Sequence, residues 1–244
     1  MCFKRRLKYY KPSIFAITEN GGIYYKYSVI QCLLYDVLLL RISLALKKNF
    51  MKQILALVIF YLALLPLKAQ QYPSGINVAA KAPQFEAKDQ NGNNVQLTQL
   101  LKKGTVVLIF YRGQWCPHCN RQLKQLEDSL SFLKEKGASL VAITPEKPEN
   151  IKKTMAKTKA SYPILFDDGL KIMKQYEVAY DVDAITIDKY KKYGIDFNDV
   201  NGSNGAVLPV PAVYIINKTG EIVYKFFDAN YTKRPSVKEL LSYL

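Results

Sequence analysis

The chain has 244 residues, 49% apolar and 23% charged, which suits one folded domain with a buried core and excludes wholesale disorder or a collagen-like chain. Its four cysteines are too few for a disulfide-stapled miniprotein. The net charge of +15 suggests nucleic acid only until it is divided along the chain, because residues 1–69 hold 11 Lys+Arg against 2 Asp+Glu. Lysines further on, such as Lys152, Lys153, Lys157 and Lys159, fall at helical spacings and read as a solvated face. No nucleic-acid partner is expected.

Residues 1–50 show no domain-like organisation and read as a mis-annotated upstream extension, with Met51 as the true start. Residues 51–69 read as a signal peptide. Lys52 gives a positive start, Ile54 to Leu67 is an uncharged apolar run, and Ala69 is a small residue for cleavage. That run is shorter than the about 20 residues of a membrane span, although Leu67 is large for a position so close to cleavage. The expected location is periplasmic or otherwise outside the cytoplasm, with a membrane contact only through an uncleaved signal. Cys2 and Cys32 drop out of the mature protein, which leaves Cys116 and Cys119 in an oxidising compartment.

Residues 70–244 form the expected domain. From Pro83 a hairpin turns at Asn91-Gly92. Thr105–Tyr111 is a continuous apolar, β-branched run, as in a buried parallel strand. A helix is predicted from Pro117 to Lys136, buried along Leu123, Leu126, Leu130 and Leu133 and stopped by Gly137. Ser139–Thr144 is a second strand, Pro148–Ala160 a polar-faced helix and Pro163–Phe166 a short strand. Gly169–Tyr176 suggests a helix. Residues 178–206 are less regular, with a helix near Ala184–Tyr193 and Asn/Gly punctuation after it. PAVYIIN and EIVYKFF form a hairpin across Lys218-Thr219-Gly220, and a last helix covers Ser236–Leu244. The pattern predicts an α/β domain with a central mixed sheet and helices on both faces.

The chemistry concentrates in Trp115-Cys116-Pro117-His118-Cys119, where a buried strand gives way to a helix. Free N–H groups and the helix dipole favour a thiolate at Cys116. Pro117 suits the first helical position, a protonated His118 would favour the thiolate further, and Cys119 is close enough to resolve a bond its partner makes. Zinc would need four ligands, and the mature chain offers two Cys and one His. Covalent haem would need His where Asn120 stands. A structural disulfide would close too small a loop to constrain the unfolded chain much. A reactive dithiol with no cofactor is the reading.

The segments APQF, FYRGQWCPHC, YGIDFNDVNG, LPVPAVYI and FFDANYTKRP resemble the peroxiredoxin-like proteins of the alkyl hydroperoxide reductase/thiol-specific antioxidant superfamily, from about Ala79 onward. The resemblance implies a single thioredoxin-like domain. It implies that Pro211 follows a cis peptide bond and faces the dithiol, and that Val210 offers backbone groups to an extended substrate. Similar peroxiredoxins carry P-x-x-x-T-x-x-C with an Arg from a later strand. Laid on this sequence, the attacking Cys falls on Cys119, the Thr position on Cys116 and the Arg position on Pro211. Arg112 is a candidate substitute for that Arg, and Arg234 carries no assigned role.

Two reactions follow from the resemblance. A thiolate attacks a hydroperoxide and the sulfenic acid is resolved into a Cys116–Cys119 disulfide, with a thioredoxin-type donor restoring the dithiol. Alternatively, the dithiol exchanges with protein disulfides, including as an oxidant, since Pro-His also separates the cysteines of periplasmic disulfide donors. Cys116 is expected to be the first nucleophile, with Trp115 close to the substrate. A non-catalytic binding module is the minor alternative, and the retention of Cys116, Cys119, His118 and Pro211 together counts against it.

Overall fold

The computed structural model describes residues 73–244 continuously, together with Thr18–Glu19, Gly22–Ile23 and the helical positions Leu57, Phe60 and Tyr61. The chain divides into two units, residues 1–69 and 70–244. In the first, Thr18–Glu19 pairs antiparallel with Gly22–Ile23. The upstream extension, the signal peptide, Cys2 and Cys32 otherwise fall outside the described residues. Among the described residues no helix is long and apolar enough to cross a membrane.

In the second unit, uninterrupted apolar runs become the central strands because both of their faces are covered. β1 (Glu86–Lys88) and β2 (Asn94–Gln96) form the expected hairpin, and Gly92 turns at φ +83°. α1 (Leu97–Lys103) leads into β3 (Thr105–Phe110). α2 (Pro117–Asp128) and α3 (Leu130–Glu135) precede β4 (Ala138–Thr144). α4 (Pro148–Thr158), β5 (Ile164–Phe166) and α5 (Lys171–Gln175) follow. Then come β6 (Ala179–Asp181), α6 (Ala184–Lys192), α7 (Phe197–Asn201) and β7 (Val207–Pro209). β8 (Ala212–Ile216), β9 (Ile222–Phe227) and α8 (Val237–Leu241) complete the unit.

The sheet order is β9-β8-β3-β4-β5, with β3, β4 and β5 parallel and β8 antiparallel to both β3 and β9. Side chains of β3 alternate between two cores, as strand geometry requires. Val106, Leu108 and Phe110 pack with Leu97, Leu101, Ile172, Met173 and Tyr176. Val107, Ile109 and Tyr111 pack with Leu123, Leu126, Leu133, Ile151 and Leu240. Thus α1 and α5 cover one face, and α2, α3, α4 and α8 the other. The α/β class with a mixed, doubly covered sheet is as expected.

Three local expectations change. The single helix over 117–136 is two helices, turning at Ser129 (φ −110°, ψ 8°) with all four leucines still buried; nothing in the sequence marks that break. The Asn/Gly-rich stretch is not simple punctuation, because the Asp196 side chain accepts the Asn198 N–H at 2.9 Å and starts α7 around a buried Phe197. That stretch is also closed by a β6–β7 ladder, whose three-residue strands are too short to show a period.

Candidate active site

β3 and β4 run parallel, so their carboxyl ends open on the same side of the sheet, the usual place for chemistry in such folds. Residues 111–119 leave β3 there, and Glu146 leaves β4. Ala212 pairs with Phe110, which brings Val210-Pro211 to the same end.

Cys116 is the N-cap of α2, with Pro117 in the first turn, and its sulfur accepts the Cys119 N–H at 3.4 Å. The two sulfurs are 2.6 Å apart, and both residues are buried at 1% and 0% exposure. Arg234 Nη2 lies 3.4 Å from Cys119 Sγ. Arg234 is presented by the segment after β9, where its Nη1 donates to the Tyr231 and Lys233 carbonyls.

These neighbours order the two thiols. Burial works against a Cys119 thiolate. The Cys116 sulfur 2.6 Å away, the Arg234 guanidinium and a backbone bond from Arg112 outweigh it and hold Cys119 below the usual thiol range. Cys116 is pushed up, by its hydrogen bond to Cys119 and then by burial. The guanidinium contact and the burial of Cys116 favour the charge on Cys119. The guanidinium thus weighs against the expectation drawn from helix position. The N-terminus of α2 supplies Cys116 with one distant N–H, whereas Cys119 has a guanidinium in contact.

Arg112 is 3% exposed and sits among aromatic rings. Its guanidinium carbon is 4.3 Å from the Tyr231 ring centre, 4.9 Å from Trp115 and 5.4 Å from Tyr190, and it donates to the Tyr190 hydroxyl. Trp115 packs edge-on against Tyr190 and Phe197, so the β6–β7 segment shapes this wall. His118 is half-buried, with its ring edge-on to Tyr231 at 6.0 Å.

Pro211 requires a correction. Among the described residues no peptide bond is cis. The backbone is held extended on both sides of this bond, by the β6–β7 ladder before it and the β8–β3 ladder after it. Val210 is 2% exposed, and its N–H donates to Val178 O at 2.8 Å. The chain's own strand takes the donor that an extended substrate was expected to use.

Glu146 was not a sequence-level candidate. It is fully buried, and its Oε2 accepts the Gln114 N–H at 2.7 Å while Oε1 has no hydrogen-bond partner among the described residues. Burial, offset in part by the Gln114 bond and reinforced by Cys119, pushes its carboxyl from 4.5 up to about 8. The unfolded chain therefore releases this proton first as pH rises. Stability tied to the protonated carboxyl is whole below 4.5 and is lost as pH climbs through about 8. Glu146→Gln is expected to melt above the wild type in alkaline solution, and the gap should close toward acid pH in a series of thermal melts.

Arg234, Tyr190 and Tyr231 also escaped assignment. Arg234 and Tyr231 lie within the family-like DANYTKRP segment, the one sequence signal available. A carboxylate just beyond a buried parallel strand would have been the signal for Glu146.

A doubly covered mixed sheet with a C-x-x-C pair opening a helix at its carboxyl end defines a thioredoxin-fold dithiol protein. The AhpC/TSA family model matches residues 78–225, and the chain belongs to that family. It is 34% identical over 133 residues to the chloroplastic peroxiredoxin Q of Gentiana triflora, covering 52% of this chain and 60% of that protein. It is 25% identical over 144 residues to the thiol-disulfide oxidoreductase ResA of Halalkalibacterium halodurans, covering 59% and 64%. Among solved structures, the peroxidoxin BcpB of Mycobacterium tuberculosis superposes with a TM-score of 0.54 at 19% identity, over 69% of this chain and 96% of that one. The reduced 2-Cys peroxiredoxin of Plasmodium vivax gives 0.52 at 20% identity, over 68% and 93%. These two structures establish the shared fold.

Proposed function

We propose that the protein is a thiol-dependent peroxidase that reduces a hydroperoxide through a Cys116/Cys119 dithiol–disulfide cycle, recharged by a thioredoxin-type donor. The observation that carries this reading is the Arg234 guanidinium 3.4 Å from Cys119 Sγ, with Cys116 Sγ 2.6 Å away. A cation beside the thiolate both maintains it and stabilises the charge that moves onto the departing oxygen. The peroxiredoxin Q relatives agree with this chemistry. The Cys119 thiolate attacks one peroxide oxygen and becomes a sulfenic acid as the O–O bond breaks and the other oxygen leaves as the alcohol. The Cys116 sulfur then attacks Cys119 Sγ to form the disulfide, the sulfenic oxygen leaving as water. Arg112 and Trp115 stack beside the dithiol turn, and Val210-Pro211 lie at the same end of the sheet. His118 and Tyr231 lie at the rim, and the 228–235 segment must move to admit substrate to the buried sulfurs.

The test is rapid mixing of the reduced 70–244 unit with hydrogen peroxide, read by Trp115, the sole tryptophan. A rate far above that of a free thiol at equal thiolate fraction is expected. A second reading, exchange with protein disulfides, is favoured by the C-x-x-C spacing and the ResA relative. It predicts a free-thiol rate with peroxide and fast exchange with small disulfides. Against it stands the occupied Val210 N–H, which leaves little edge for a peptide to pair with. Residues 51–69 support export, most simply to a periplasm, with membrane attachment only through an uncleaved signal.

A further inference from the structure

Tyr231 takes no part in the reaction above, yet its two ends reach different parts of the site. Its ring lies on the Arg112 guanidinium, 4.3 Å from ring centre to guanidinium carbon, and edge-on to His118 at 6.0 Å. Its carbonyl accepts from Arg234 Nη1 at 2.6 Å, and Arg234 Nη2 is the group 3.4 Å from Cys119 Sγ. The cation beside the thiolate is thus fastened to the backbone of Tyr231, while the ring of Tyr231 is fastened to a second cation. Arg112 is a fixed post for that ring. It is buried just beyond β3, stacks with Trp115 and Tyr190, and donates to the Tyr190 hydroxyl.

Residues 228–234 have little else to hold them over the dithiol. Their ends are set by β9 and the buried Pro235. The Asn230 N–H donates to Asp228 Oδ1, the Thr232 N–H to Asn230 Oδ1 and the Lys233 N–H to the Asn230 carbonyl. Lys233 Nζ also pairs with Asp228 at 3.1 Å. All of these run within the segment and shape it without tying it to the sheet. Among the described residues, the polar and ring contacts that cross from it to the dithiol side are the Tyr231 ring with Arg112 and His118, and Arg234 with Cys119. We propose that Tyr231 is the positioning residue for Arg234: its ring, stacked on Arg112, holds the 228–234 segment down so that the Arg234 guanidinium meets Cys119. Both sulfurs are buried in this closed arrangement, so lifting Tyr231 uncovers them and withdraws Arg234 in one movement. Access and activation therefore alternate, and substrate reacts beneath a segment that has closed again. A stacked guanidinium is a contact of moderate strength, firm enough to favour closure and weak enough to release.

The inference rests on the assignment of Arg234 to the Cys119 thiolate, and its test needs no peroxide. The reduced full chain is alkylated with iodoacetamide across a pH series, and the rate at Cys119 is read by mass spectrometry. Tyr231→Ala is expected to move the profile toward alkaline pH, so that the neutral rate falls about tenfold, the weight of one such contact. The plateau rate of the full thiolate should rise, because the sulfur is less covered. The other groups that act on this thiol or face it, Cys116, Arg112, Tyr111 and Glu146, are unchanged in that variant. Tyr231→Phe keeps the ring and should retain the wild-type profile. At 45% exposure Tyr231 tolerates both changes without loss of the fold. In an Arg112→Met chain the ring has no cation to stack on, so adding Tyr231→Ala should move the profile little further. Three results would each overturn the proposal: a wild-type profile for Tyr231→Ala, a Tyr231→Phe protein as impaired as the alanine one, or an equal effect of Tyr231→Ala with and without Arg112. Should Arg112→Met fail to fold, the alanine and phenylalanine pair decides. A slow reaction of the wild type with hydrogen peroxide would count against the peroxidase and leave these profiles readable.

Discussion

Cys119→Ser is expected to abolish the first oxidation step, whereas Cys116→Ser should still be oxidised once, to a stable sulfenic acid, and then fail to turn over. The asymmetry follows from which sulfur holds the charge. The thiolate is the nucleophile, and Cys119 has the Arg234 guanidinium 3.4 Å and the Cys116 sulfur 2.6 Å from its own sulfur. Serine in place of Cys119 removes that thiolate and leaves Cys116, whose thiol is pushed up by burial and by its neighbour. Serine in place of Cys116 keeps a hydroxyl donor beside Cys119, so a sulfenic acid forms but meets no resolving thiol. Rapid mixing with hydrogen peroxide, followed by trapping of the sulfenic acid and mass spectrometry, distinguishes the two. Sulfenic acid on Cys116 in the Cys119→Ser protein, at the wild-type rate, would reverse the assignment.

Arg234→Met is expected to lower the rate of peroxide oxidation by about 100- to 1,000-fold at neutral pH, the usual effect of removing one preorganised donor from a developing charge. Two components make up that loss. Without the guanidinium the Cys119 thiol rises, so less thiolate is present at neutral pH. Raising the pH restores the thiolate and recovers that part. The remaining deficit reflects the lost stabilisation of the leaving oxygen and persists at every pH. Arg234→Lys keeps the charge but not the fork of donors, and should fall between the two. A pH–rate profile separates the components, and a Met variant with the wild-type profile would remove Arg234 from the chemistry.

Much of the fold was legible because it lies in contiguous patterns. The apolar runs at 105–110, 138–144 and 212–216 announce strands covered on both faces, and Cys116 to Cys119 announces the dithiol in one short segment. The electrostatics of the site was not legible. It depends on groups that tertiary folding brings together from after β4, from α6 and from after β9. No spacing rule links Cys119 to Arg234 or to Glu146. Helix position alone pointed to Cys116, and one guanidinium contact weighs against it. The trans bond before Pro211 was hidden for a related reason, since the ladder that holds Val210 uses strands of three residues.

Arg234 follows Cys119 by 115 residues, with most of the sheet between them. A chain made from its N-terminus therefore carries its cysteines for some time before their guanidinium exists. During that interval neither thiol is activated, and stray oxidants meet a pair of ordinary cysteines. On the proposed mechanism, full reactivity therefore comes only with the final turns of the domain.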